Sequence, residues 1–177
     1  ISVDRATNAM VVTAEPYATE AALEILEAGG NAVDAAIAAQ WILNVVEPQS
    51  SGIGGGGFFV YYDSKSKAIY TFDGREKAPA KAHPKMFLDK EGEPLPFYPD
   101  RITGGLPVGV PGTRRLLKRV HERFGSGTLR FEKLFAPAIK LAEEGVPVSK
   151  RLAEAIQEEE GRLGHFEASR KIFFHPD

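Results

Sequence analysis

The strongest constraint on this chain is the run Gly52-Ile53-Gly54-Gly55-Gly56-Gly57, set between an alanine-rich stretch and an aromatic one. Glycine has no Cβ, so such a run tolerates left-handed backbone and lets main chains approach where side chains would hold them apart. It can be a phosphate cradle, or a tight passage between a helix and a strand. Gly52-x-Gly54-x-x-Gly57 does match the dinucleotide pattern G-x-G-x-x-G. That pattern works only where a strand leads in and a helix leads out, so that pyrophosphate meets a helix N-terminus. Here residues 31–46 read as a helix before the glycines, and Phe58-Phe59-Val60-Tyr61-Tyr62 as a strand after them. No Gly-Lys-Ser/Thr follows to complete a P-loop. The order argues for close packing and against nucleotide.

The other elements follow from periodicity and punctuation. Residues 9–14 (Ala-Met-Val-Val-Thr-Ala) predict a short buried strand. Ala18, Ala22, Leu23, Ile25 and Leu26 recur at helical spacing over residues 16–28, and Gly29-Gly30 stops that helix. Asn31 is placed to cap the next helix, with Asp34 in its first turn, where a negative charge suits the helix dipole. Ala32, Ala35, Ala36, Ala38 and Ala39 make this helix apolar almost all round, which predicts burial, with Trp41 as a core anchor.

Residues 58–63 and 68–72, joined by Ser64-Lys65-Ser66-Lys67, predict a β-hairpin. Pro84, Pro94, Pro96 and Pro99 predict a long surface excursion, and a second glycine–proline cluster at residues 104–112 opens a helix from Thr113 to Phe124. A further helix is expected over 131–144, cut in its first turns by Pro137 and ended by Gly145. Ser149 caps a charged helix reaching Glu160, whose Glu158-Glu159-Glu160 run reads as a solvated face.

A chain of 177 residues suits one core, and no linker or repeat marks a boundary, so residues 1–177 read as a single domain. Net charge of −2 gives no reason to expect nucleic acid as a partner. No apolar run approaches bilayer length, so no membrane segment is expected in the chain. Because it begins at Ile1, a missing leader says nothing about export. Cysteine is absent, which excludes thiol chemistry, and His83, His121, His165 and His175 show no metal-ligand spacing. Neither a metal nor a cofactor is expected, and these histidines read as surface or helix residues.

Five segments appear in an order that resembles the γ-glutamyltranspeptidase family of N-terminal nucleophile hydrolases. They are Ala28-Gly29-Gly30-Asn31-Ala32-Val33-Asp34-Ala35-Ala36, then Glu47-Pro48-x-Ser50-Ser51 running into the glycines and Phe58, then Asp73-Gly74-Arg75-Glu76-Lys77-Ala78-Pro79. Val108-Gly109-Val110-Pro111-Gly112-Thr113 and Leu134-Phe135-Ala136-Pro137-Ala138-Ile139-x-Leu141-Ala142 complete the set. The resemblance implies an α+β fold, part of a four-layer αββα sandwich, in the N-terminal portion of a large subunit. It implies a precursor that cuts itself in two, the new N-terminal Thr of the small subunit being the nucleophile. It also implies a γ-glutamyl donor such as glutathione, transfer of the acyl group to water or an amino acid, and the chain's own small subunit as partner. A periplasmic or secreted place is favoured, with a cytoplasmic one open. A related acylase acting on another amide such as a β-lactam side chain, or a non-catalytic binding or assembly domain of the same fold, are the rival readings.

None of Thr7, Thr13, Thr19, Thr71, Thr103, Thr113 or Thr128 stands in the Thr-Thr-His context of the family's cut. The resemblance therefore implies no catalytic residue in this chain, a nucleophile downstream, and a fragment inactive alone with apolar surface exposed. It assigns Arg75, the Arg of Arg-Glu-x-Ala-Pro, to substrate binding. A planar guanidinium can hold an α-carboxylate through two parallel hydrogen bonds. From its neighbours alone, Arg75 reads first as an ion-pair partner of Asp73 or Glu76 that holds the hairpin end, and the resemblance reverses that preference. Glu76 either orients Arg75, attracts the substrate ammonium, or serves as a structural partner. The glycine run is expected to pack near the catalytic wall, and residues 104–112 to shape the chain near the subunit interface.

Overall fold

The computed structural model describes residues 5–174, and His175 lies outside them. The chain forms two compact units, one running to Arg75 and resuming over Pro111–Val148, the other comprising Glu76–Val110 and the stretch from Ser149 onward. The first unit is mixed helix and sheet. It contains α1 (Pro16–Glu27), α2 (Ala32–Val46), the short α3 (Pro48–Ser51), strands β1 (Phe58–Asp63) and β2 (Ala68–Asp73), α4 (Thr113–Phe124) and α5 (Ala136–Glu144).

Helix α1 ends as its glycines require. Gly29 sits at φ +88°, its N–H donating to Leu26 O at 3.1 Å, and Gly30 N–H returns to Ile25 O at 2.9 Å. That paired closure leaves few orphan carbonyls at the end of the helix. One residue on, the Asn31 side chain accepts from Val33 N (3.0 Å) and Asp34 N (3.1 Å), and Asp34 Oδ2 accepts from Asn31 N (3.2 Å). This reciprocal capping box fixes where α2 begins.

Helix α2 is the centre of the core, burying Val33, Ala35, Ile37, Ala38, Ala39, Trp41, Ile42 and Val46. Its alanines let α1 approach closely, and Trp41 stacks edge-on against Phe135 with ring centroids 4.7 Å apart. Burying such side chains is worth roughly 25 cal/mol per Å² of apolar surface removed from water, which makes α2 the helix least able to lose its neighbours.

The hairpin pairs Phe58 with Asp73 through to Asp63 with Ala68. Its two faces part sharply. Phe59, Tyr61, Tyr70 and Phe72 turn inward, and Tyr61, Tyr70 and Phe72 gather round Phe124 of α4 at 4.8, 4.7 and 6.0 Å. Phe58, Val60, Tyr62 and Ile69 point outward and stay 58–69% exposed. In the turn, Asp63 accepts from Ser66 Oγ (2.6 Å) and Lys65 N (3.1 Å), and these two bonds hold its carboxyl below the usual range.

Two expectations about this unit need correction. Residues 9–14 form no strand, and the sheet among the described residues has only β1 and β2. The helix expected over 131–144 opens as a 3₁₀ segment, Phe131–Phe135, since Pro137 cannot donate to the preceding turn. Between α2 and the glycines, residues 48–51 add one further helical turn, α3, started by Pro48.

The second unit contains α6 (Lys150–Glu158), α7 (Glu160–Leu163) and α8 (Glu167–Phe173). The Ser149 hydroxyl caps α6 by accepting from Leu152 N at 3.1 Å. The charged helix breaks after Glu158, and Glu159 is drawn from the solvated run into a 2.7 Å pair with Arg162 Nε. Residues 76–110 hold no helix or regular strand, as their prolines predict. No described helix is long and apolar enough to cross a membrane.

Candidate functional site

The glycine run sits where α3 gives way to β1, so helix–glycine–strand order holds in three dimensions. Its main chain works as a hydrogen-bonding hub. The Gly55 carbonyl accepts from Gly112 N (2.9 Å) and Thr113 N (3.2 Å), satisfying two donors at the start of α4. Gly57 and Gly74 exchange backbone bonds, Gly74 N to Gly57 O at 2.9 Å and the reverse at 3.3 Å, adding one rung to the hairpin ladder.

Close packing lies beside the run rather than throughout it, which corrects the expectation. A Cβ at Gly54 or Gly57 would meet nothing within 4 Å, and neither has a left-handed backbone. A Cβ at Gly112 would overlap the Gly74 carbonyl oxygen, and one at Gly74 would fall 2.5 Å from Leu116 Cβ. The tight passage is thus the crossing of residue 74 and the α4 N-terminus. A cleft of about 330 Å³ opens beside it, lined by Ala36 and Gln40 of α2, Gly56, Phe58, Thr113 and Leu117.

Arg75 follows β2 directly, with a buried Gly74 behind it and its own side chain exposed. Its backbone N–H donates to Asp73 Oδ1 at 2.9 Å, and its Nη1 donates to the Gly56 carbonyl at 3.4 Å. Gly56 also lines the cleft, so the guanidinium donates to a residue of the cleft wall although Arg75 is not itself among the lining residues. The Asp73 carboxylate therefore engages the main chain of Arg75. Glu76 begins the second unit and is half-buried. Its Cβ lies where Gly109 passes, so close that a Cβ on Gly109 would approach it to 2.8 Å. Lys77 and Val110 bridge alongside, with bonds of 2.8 and 3.3 Å, so part of the 104–112 cluster pairs with the segment following Arg75.

The second unit has its own cleft of about 260 Å³, lined in part by Tyr98, Asp100, Arg162 and His165; neither Arg75 nor Glu76 lines it. Among the described residues, no group of three or more His, Asp or Glu is arranged to hold a metal ion. His83 and His165 are exposed. His121 is only 15% exposed and lies on α4, its Nε2 3.1 Å from Leu129 O and 3.5 Å from the fully buried Asp34 Oδ1. Asp34 Oδ2 also accepts from Ser126 N at 3.1 Å. The capping aspartate therefore ties α2 to the loop beyond α4, a partner some ninety residues away that no local spacing could reveal.

A family model for gamma-glutamyltranspeptidase matches residues 18–177, and the chain belongs to that family. It is 46% identical over 171 residues to a glutathione hydrolase proenzyme of Bacillus subtilis strain 168, covering 97% of this chain and 28% of that protein. Among solved structures, the gamma-glutamyltranspeptidase of Helicobacter pylori superposes with a TM-score of 0.90 at 38% identity, covering 98% of this chain and 48% of that one. A cephalosporin acylase of Bacillus halodurans lies further off, at 0.71 and 30% identity, over 99% of this chain and 32% of its own. The chain thus spans less than a third of the Bacillus subtilis relative and about half of the Helicobacter pylori chain.

Proposed function

We propose that this chain is the N-terminal portion of the large subunit of a γ-glutamyltranspeptidase or glutathione hydrolase. The full protein cleaves γ-glutamyl amides, glutathione among them, through an acyl-enzyme on an N-terminal Thr outside this chain. The acyl group passes to water or to an amino acid. Arg75 grips the substrate α-carboxylate with two charge-assisted hydrogen bonds, and Glu76, the next residue, orients it or attracts the ammonium. The observation that carries the reading is the placement of Arg75, exposed after β2 with its guanidinium turned to the Gly56 carbonyl at the cleft rim.

Residues 1–177 are then one domain's share of a four-layer αββα sandwich, whose other strands come from the rest of the precursor. Support comes from the outer hairpin face, where Phe58, Val60, Tyr62 and Ile69 stay exposed. An apolar face of that size suits a covering sheet. The likeness to a cephalosporin acylase favours the rival reading, a related acylase on another amide, since Arg75 would serve any donor with a carboxylate near the scissile bond.

The test uses the full-length precursor and the isolated chain, each offered a chromogenic γ-glutamyl anilide and a β-lactam side-chain amide. The precursor should mature into two subunits and release the anilide product, while the isolated chain releases none. Turnover of the β-lactam amide alone would favour the acylase, and turnover by the purified isolated chain would overturn the reading.

A further inference from the structure

Arg75 is only as useful as its aim, and two hydrogen bonds on either side of it bear on that aim. One is to Asp73, whose Oδ1 accepts the Arg75 backbone N–H at 2.9 Å, two residues on. A carboxylate bonded this way closes a short turn of its own, bending the chain out of the strand at a fixed angle. The other is to the Gly56 carbonyl, which takes Arg75 Nη1 at 3.4 Å. Between them Gly74 is pinned from both sides. Its N–H and carbonyl are bonded to Gly57, and its Cα faces Leu116 with no room for a Cβ. The peptide that carries Arg75 thus cannot slide along the sheet, and its remaining freedom is rotation at residue 75, which the Asp73 bond removes.

We infer that Asp73 is a positioning residue for substrate recognition, acting through Arg75 by holding its main chain in the turn that presents the guanidinium at the cleft rim. The inference rests on the reading of Arg75 as a carboxylate clamp. Asp73 itself is exposed at the end of β2, opposite Phe58, and the hairpin's inward aromatic face does not depend on its side chain. Its role is as a hydrogen-bond acceptor, so its charge is dispensable. An asparagine keeps Oδ1 and an alanine does not.

The test is made in the full-length precursor with Asp73→Ala, Asp73→Asn, Arg75→Ala and the double variant Asp73→Ala/Arg75→Ala. Two donors are compared, the γ-glutamyl anilide and the same anilide built on 4-aminobutanoate, which keeps the amine and lacks the α-carboxylate. Asp73→Ala should raise KM for the γ-glutamyl donor roughly two- to tenfold, the span of one hydrogen bond, with kcat little changed. It should leave the 4-aminobutanoyl donor at its wild-type KM. Asp73→Asn should match wild type, and Asp73→Ala should add nothing in the Arg75→Ala background. Wild-type KM in Asp73→Ala while Arg75→Ala is impaired would overturn the positioning role alone. Wild-type kinetics in Arg75→Ala would overturn the clamp beneath it. If Asp73→Ala fails to mature into two subunits, or Asp73→Asn is as impaired as Asp73→Ala, the proposal is also overturned, because Asp73 would then serve the fold or act by charge.

Discussion

Gly74 lies against Leu116 so closely that a Cβ on the glycine would fall 2.5 Å from the leucine Cβ and 2.8 Å from its Cδ2. Gly112 meets the carbonyl of the same Gly74, a backbone atom with nowhere to move. Gly74 and Gly112 are therefore needed on steric grounds, whereas Gly54 and Gly57 of the denser run are not.

Stability should sort the glycines accordingly. In the full-length protein, Gly112→Ala and Gly74→Ala should each cost about 1–3 kcal/mol, the usual range for overpacking a closed site. Gly54→Ala should change stability by less than about 0.5 kcal/mol, as surface substitutions do. Urea unfolding midpoints at constant slope would measure this, and equal losses at 54 and 112 would refute the distinction.

Nucleotide should not bind. With a helix before the glycines and a strand after, the run opens no helix of its own, and the α4 N-terminal donors that reach it, Gly112 N and Thr113 N, are taken by the Gly55 carbonyl and not offered to a phosphate. Calorimetry with NAD and ATP should show no micromolar binding; binding that disappears in Gly54→Ala would reverse this.

For the clamp, Arg75→Lys keeps the charge and loses the two-pronged grip. The loss of one charge-assisted bond is worth about 1.5–3 kcal/mol. That is roughly ten- to a hundredfold in kcat/KM, taken mostly in KM if the carboxylate is held equally in ground and transition states. Arg75→Ala should be worse, while self-cleavage of the precursor proceeds in both, since no substrate carboxylate takes part in it. Subunit bands on a gel and steady-state kinetics decide the matter.

Asp34 should matter more than a surface cap. It is fully buried and accepts from Asn31 N and Ser126 N, so Asp34→Ala strands two donors, one of them the reciprocal half of the α2 capping box. A buried donor left unpaired costs about 1–3 kcal/mol. Asn31→Ala should cost about 0.5–2 kcal/mol as an N-cap loss. Thermal unfolding of the two variants should rank Asp34→Ala as the more damaging.

The hairpin turn should respond to acid. Asp63 is depressed in the folded state, so its contribution is present above the unfolded value and is lost as pH falls through the lower folded value, below about 4. Ser66→Ala removes the main cause and should move the Asp63 carboxyl titration, followed by NMR, back toward the ordinary range.

Local chemistry made much of this protein legible from the chain alone. Helix α2 could be bounded because Asn31 and Asp34 form their cap within one turn, and α1 because Gly29 and Gly30 close it. The hairpin was readable from its alternation, and the start of α4 from Gly112 and Thr113. The importance of Arg75 came from a motif. Its aim did not, because the Gly56 carbonyl that receives it is nineteen residues away in sequence. Residues 9–14 have strand-like composition, but a strand needs a neighbour's backbone, and composition does not supply one. The same reason separates the glycines. Any of them can adopt unusual backbone, yet which ones have no room for a Cβ depends on Leu116 and the Gly74 carbonyl, and only packing brings those into place.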